Sequence, residues 1–119
     1  MKLFWSAFYR DYNEDEVHQF VPRDGGVYLL WVRMKSRKWR CFYVGSAGNM
    51  EERLLHHLSP DEDNVALREQ LTDFVCGFEY ARVEGEEERR RIEKFLYDRF
   101  RPELNPADPG GVPLEVNAP

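Results

Sequence analysis

Cysteine is scarce, long apolar runs are missing, and one stretch of the chain holds no acid at all. The two cysteines, Cys41 and Cys76, fall in strand-like segments with no metal-ligand spacing around them, the placement of reduced core thiols rather than of a disulfide scaffold. The longest unbroken apolar run, Val27 to Val32, is far below the roughly 20 residues that a membrane helix needs. Met1 is not followed by a charged start, an apolar stretch and a small-residue cleavage site, so a cytoplasmic location is the expectation and a membrane is not an expected partner. Acids are absent from 25 to 50, where Arg33, Lys35, Arg37, Lys38 and Arg40 contribute +5, while the remaining 93 residues carry −10 of a net −5. A negative total speaks against generic phosphate binding, yet segregation of this kind can aim a field at one end of the molecule.

What is present suffices for one packed domain: 119 residues, 42% hydrophobic and 14% aromatic, supply an ordinary core without disulfides or a structural metal. Asn13 can cap a short helix running to about Phe20, and Pro22 with Gly25 and Gly26 forces a turn. Val27 to Met34 and Trp39 to Ser46 are rich in β-branched and aromatic residues and flank a polar tip, the pattern of a β-hairpin. Asn49 and Glu52 resemble a capping box opening a helix that ends near Leu58, before Pro60. Asn64 caps a second short helix over Val65 to about Thr72, and Phe74 to Val83 alternates as a third strand. After Gly85, three glutamates followed by three arginines support a helix through i,i+3 and i,i+4 pairs, with Ile92, Phe95, Leu96 and Phe100 as its apolar stripe and Pro102 as its stop. Five of the seven prolines lie from Pro102 onward, which predicts an extended tail over Pro106 to Pro119 with little core of its own.

The hairpin carries two similar tripeptides, Gly26-Val27-Tyr28 and Tyr43-Val44-Gly45. If its turn holds two or four residues, paired positions sum to 73, Tyr28 faces Gly45, Tyr43 faces Leu30, and both tyrosines share one sheet face. An odd loop would put them on opposite faces. Arg53 follows Tyr43 by ten residues and His57 follows by fourteen, so the two project from one side of the expected helix. Farther on, Glu93 is followed by Pro102 and, twelve residues after the glutamate, by Asn105.

In this order and spacing the residues resemble a GIY-YIG endonuclease domain over positions 22 to 106. The tripeptides correspond to its two named motifs, Ser46 to Arg53 to the stretch leading to its arginine, His57 to a histidine found in some members, and Glu93 with Asn105 to its closing pattern. The resemblance implies an α/β (α+β) fold with a small three-stranded antiparallel sheet flanked by helices. It divides the chain into an aromatic and acidic lead-in packed on the domain (1–24), the domain itself (25–106) and a Pro-rich tail (107–119). The implied activity is metal-dependent hydrolysis of DNA phosphodiester bonds, with Mg²⁺ or Mn²⁺ held by Glu93. Tyr28 is then base or proton relay, Arg53 the contact to the scissile phosphate, Tyr43 and His57 the groups that orient water and phosphate, and Asn105 a support for the site. Lys35, Arg37, Lys38 and Arg40 are candidate DNA contacts, with targeting supplied by another protein or by a homodimer. The alternative is a non-catalytic nucleic-acid-binding or protein-interaction adaptor that keeps the fold. The expectation for the structure is that Tyr28, Tyr43, Arg53, His57 and Glu93 converge on one shallow concave site.

Overall fold

The computed structural model describes residues 1–119. Its elements are α1 (Glu14–Phe20), β1 (Gly26–Arg33), β2 (Trp39–Ala47), α2 (Met50–Leu58), α3 (Val65–Asp73), β3 (Cys76–Arg82) and α4 (Glu86–Phe100). Each of the first three helices starts where an asparagine side chain accepts a backbone N–H: Asn13 from Glu16, Asn49 from Glu52 and Asn64 from Leu67. Helix α4 has no side-chain cap and relies on Glu86, Glu87 and Glu88 against its positive end. It stops at Arg101, which turns left-handed at φ 49° ahead of Pro102. No helix is long and apolar enough to cross a membrane.

The three strands form one antiparallel sheet in the order β2-β1-β3. Strand β1 is central and packed on both faces, which explains its near-continuous apolar run. One face lies against α1, α2 and α3 through Tyr28, Leu30, Phe42, Met50, Leu54, Leu67 and Phe78. The other carries Val27, Leu29, Val44 and Ala81 against Ile92 and Leu96 of α4. The extended tail joins that second core by burying Val116, more than its prolines predicted. Asn117 exchanges two hydrogen bonds with the Leu3 backbone, at 2.6 and 3.0 Å.

The outer strands are not bare. Along β3, the lead-in bonds through Ser6 to Tyr80, Tyr9 to Phe78 and Tyr12 to Cys76, and Trp5 and Tyr9 form isolated bridges to it. Along β2, the Leu104 N–H reaches the Phe42 carbonyl, while the Asn105 amide accepts from the Val44 N–H at 3.0 Å and donates to the Val44 carbonyl at 2.8 Å.

The hairpin register is 73 at the site end, pairing Tyr28 with Gly45 and Leu30 with Tyr43, as expected from a short even turn. The reason differs from the expected one. Residues 34 to 38 lie between the Arg33–Trp39 pair, an odd loop, and a β-bulge at Leu30/Trp31 inserts Phe42 to compensate. Phe42 and Tyr43 therefore both face the α2 side, and the two tyrosine rings lie 6.3 Å apart, 23° from parallel.

That pairing requires glycine at 45. A Cβ there would run into the Tyr28 ring and hydroxyl, all of it rigid and buried. Gly45→Ala is expected to lower unfolding stability by roughly 1–3 kcal/mol through overpacking, read by urea titration. An alanine as stable as wild type would show that Tyr28 is not held as described.

Candidate functional site

Tyr28 is fully buried, and its hydroxyl lies 2.7 Å from His57 Nε2. The other imidazole nitrogen, Nδ1, lies 2.7 Å from Glu62 Oε1, and His57 and Glu62 are themselves buried. A carboxylate only accepts, so Nδ1 carries the proton toward Glu62 and Nε2 is left to accept from the phenol. The result is one line of proton positions, Tyr28 to His57 to Glu62. Burial lowers His57 below its usual pKa while the bond to Glu62 pulls it part of the way back, so the ring is neutral near pH 7. Burial also raises the Tyr28 phenol well above its usual value, with the neighbouring Tyr43 adding to the rise and the Arg53 guanidinium opposing it.

Above this line opens a cleft of about 920 Å³, lined by Tyr43, Arg53, His56, His57, Glu62 and the start of α2 at Gly48 and Asn49. Tyr43 is the phenol that reaches the cleft, its ring 5.2 Å from that of His57. Burial pushes its pKa up to about 12. Arg53 is exposed and lies near enough to oppose the rise at Tyr28, Tyr43 and Glu93 and to add to the fall at His57, so its positive charge is shared by the whole group. No acid pairs with it. The cleft thus presents a free cation beside one phenol and a neutral imidazole, with the second phenol beneath it.

Glu93 arrives from the opposite side of the sheet. Tyr28 and Tyr43 face α2, whereas Ser46 follows Val44 onto the α4 face and donates its hydroxyl to Glu93 Oε1 at 2.6 Å. Half-buried beside Ile92 and Leu96, the carboxyl is raised by desolvation, an effect the Ser46 bond and Arg53 only partly offset. Its second oxygen has no partner, an arrangement that suits a hard cation. Glu93 does not line the main cleft but a second hollow with Arg90, Arg91 and Gly110. The convergence expected from sequence therefore takes a different form: Tyr43, Arg53 and His57 border the cleft, Tyr28 lies beneath it, and Glu93 stands around the end of the sheet.

Asn105 reaches no cleft group directly and instead clamps β2 at Val44, between Tyr43 and Gly45. The basic hairpin tip stands apart from the cleft, roughly 20 Å along β1 from Tyr28. Arg40 is engaged there by Glu103, while Lys35, Arg37 and Lys38 form no ion pair. Sequence reasoning misses Glu62 and Ser46. Glu62 lies in an irregular turn after Pro60, its N–H bonded to the Ser59 carbonyl, where no periodicity relates it to His57. Ser46 carries a usable signal, because it sits one alternation beyond Val44 on the face that α4 covers.

No family model matches the chain. It is 34% identical over 85 residues to the UvrABC system protein C of Rickettsia akari, covering 71% of this chain and 12% of that protein. It is 30% identical over 91 residues to the protein of the same name from Bdellovibrio bacteriovorus, covering 76% of this chain and 14% of that one. The chain thus spans well under a fifth of the length of these relatives. Among solved structures it resembles the GIY-YIG N-terminal endonuclease domain of UvrC from Thermotoga maritima bound to its catalytic magnesium, with a TM-score of 0.55 and 24% identity over 76% of this chain and 97% of that one. A point mutant of that domain with its divalent cation gives a TM-score of 0.56 over 78% of this chain. The β2-β1-β3 sheet, the paired tripeptides and these likenesses together identify the chain as a GIY-YIG domain.

Proposed function

We propose that this domain is an endonuclease that hydrolyses DNA phosphodiester bonds with the help of Mg²⁺ or Mn²⁺. The observation that carries this reading is the hydrogen-bonded line Tyr28–His57–Glu62 beneath a cleft whose rim holds an unpaired arginine. Likeness to a domain crystallised with its catalytic magnesium supports the metal, and the names of the relatives support DNA as substrate.

In hydrolysis a water oxygen bonds to phosphorus, the bond to one sugar oxygen breaks, and the proton lost by water must leave the attacking centre. Arg53 is the group suited to the phosphoryl oxygens, where charge builds as the water attacks. Tyr43 orients the water or phosphate from the cleft wall. The water's proton would pass to the Tyr43 phenol at the cleft wall and on to Tyr28, which, being buried, is the relay rather than the group that touches water and gives its own proton to His57 Nε2 while Glu62 holds the ring in the accepting tautomer. Glu93 would hold the cation, which when bound supplies charge neutralisation at the phosphate. Asn105 fixes β2 beneath Tyr43 and Gly45, a positioning role. Lys35, Arg37 and Lys38 contact phosphates outside the site, with Arg40 contributing less because Glu103 already pairs with it. Selectivity would come from a targeting protein or a second copy of the chain.

Glu93→Gln keeps the shape and removes the charge. Nicking of supercoiled plasmid is expected to fall by at least about 100-fold, since several kcal/mol of charge stabilisation is lost. Because the folded carboxyl titrates above its unfolded value, its ionised form lowers stability once pH rises past that value, so the glutamine variant in chelator should melt at an equal or higher temperature. Mg²⁺ should raise the melting temperature of the wild type only. A glutamine variant that still nicks removes Glu93 from the site, and a wild type that binds DNA without nicking it is the adaptor.

His57 titrates below its unfolded value, so folding loses stability as pH falls through about 6.5, where the unfolded ring takes up its proton first. Protonation of the folded ring, which comes at lower pH, blocks Nε2 and sets the acid limb of activity. Glu62→Gln removes the charge that supports the imidazole; the rate plateau is expected to drop on the order of 10–100-fold, and the acid limb to move to lower pH. A reduced plateau with an unmoved limb would mean that Glu62 acts only in packing.

Neutralising Lys35, Arg37 and Lys38 together should weaken DNA binding equally for all sequences and reduce the salt slope by roughly one unit for each phosphate no longer neutralised. Unchanged affinity and slope in a filter-binding titration would make the tip a solvated turn.

A further inference from the structure

At the hairpin end of the α4 face, far from the cleft, a hollow of about 230 Å³ is walled by Phe8, Trp31 and Trp39, with Glu79 and Pro119 completing it. Phe8 meets Trp31 edge to face at 6.2 Å and 71°, and Trp39 at 5.0 Å and 70°. All three rings are half-exposed at the hollow, and Trp31 is braced from another side by Phe100, edge to face at 5.5 Å and 78°. Phe8 occupies the space left by Gly77, the residue paired with Trp31, where a Cβ would stand 2.9 Å from the ring edge.

Glu79 is the unusual member. It is 6% exposed, and no cation or hydrogen-bond donor of the chain is paired with it. The Trp31 indole N–H lies close enough to lower the carboxyl slightly but does not reach hydrogen-bond geometry, and it is itself a buried donor without a partner. Desolvation pushes the Glu79 carboxyl up to about 7, so near neutral pH a substantial share of molecules holds an uncompensated negative charge under aromatic rings. A carboxylate among ring faces attracts a cation by both its charge and the ring quadrupoles, and such a contact strengthens as water is excluded.

We propose that Phe8, Trp31, Trp39 and Glu79 form a binding site for an alkylammonium cation, the group carried by a lysine side-chain end or by a free quaternary amine. The hollow admits such a head and is smaller than the pocket of a drug-sized ligand, which needs at least about 300 Å³. The site is independent of the proposed nuclease chemistry, because it lies on the other sheet face and at the other end of the hairpin.

Titration of the full chain with choline, followed by the indole N–H resonances, tests the site. Ionic strength is held constant with sodium chloride, and 3,3-dimethylbutan-1-ol, the uncharged isostere, serves as control. The expected result is a saturable shift of one or two indole signals at about millimolar choline, no saturable shift with the alcohol, and affinity at least about tenfold weaker in Glu79→Gln and in Trp39→Ala. Glu79→Gln should remain folded and melt no lower than wild type above pH 7, which separates weakened binding from a damaged fold. A parallel titration with N-acetyl-lysine methylamide distinguishes the sources: tighter binding of the lysine analogue points to a polypeptide, and tighter binding of choline to a free amine. Equal response to choline and the alcohol, binding undiminished in Glu79→Gln, or no response to either ammonium compound would overturn the proposal.

Discussion

Everything at the cleft depends on one missing side chain opposite one large ring. With no Cβ at Gly45, the Tyr28 ring lies flat against β2 and its hydroxyl reaches His57 at 2.7 Å. From there the geometry is handed on. His57 is held from behind by Glu62, the Tyr43 ring packs edgewise on His57, and the backbone between Tyr43 and Gly45 is clamped by Asn105. Each of these constrains the next, so a side chain at residue 45 would displace the Tyr28 hydroxyl and through it the imidazole.

The charges follow a second logic. The total of −5 conceals a cleft at whose rim the unpaired cation is Arg53, while other arginines and lysines are spent on the chain's own acids: Arg23 on Glu51, Arg40 on Glu103, Arg82 on Asp24 and Lys94 on Asp98 and Asp108. Exposed pairs of this kind add little stability, but they remove competitors for an incoming anion. An acidic protein can in this way keep a favourable spot for a phosphate at the cleft, besides the unpaired lysines and arginine of the hairpin tip.

The elements are readable in the sequence because each has a local cause. Asn13, Asn49 and Asn64 announce helix starts, the glutamate and arginine run announces α4, and the apolar strand β1 announces burial on two sides. The tyrosine pairing is readable too, although the even turn assumed for it does not exist; an odd loop and a bulge at Phe42 cancel. Parity is a one-bit property, and two departures restore it. What sequence does not supply is depth and side. That Tyr28 lies below the cleft, and that Glu93 comes around the sheet end by way of Ser46, depend on how layers stack. Glu62 is invisible because its partner is reached through an irregular turn, and the Glu79 hollow because Phe8, Trp31, Trp39 and Glu79 each come from a different segment.

The segments lying along the two outer strands have a bearing on assembly. The lead-in lies along β3, and Leu104 with Asn105 occupies the middle of β2 at Phe42 and Val44, so neither rim offers an unbroken run of free amides and carbonyls. A partner that recognises its target by adding a strand to a sheet finds no vacancy here unless one of these segments first peels away. Association with a second copy or with another protein must instead proceed through side-chain faces, where charge and shape rather than backbone pairing decide the match.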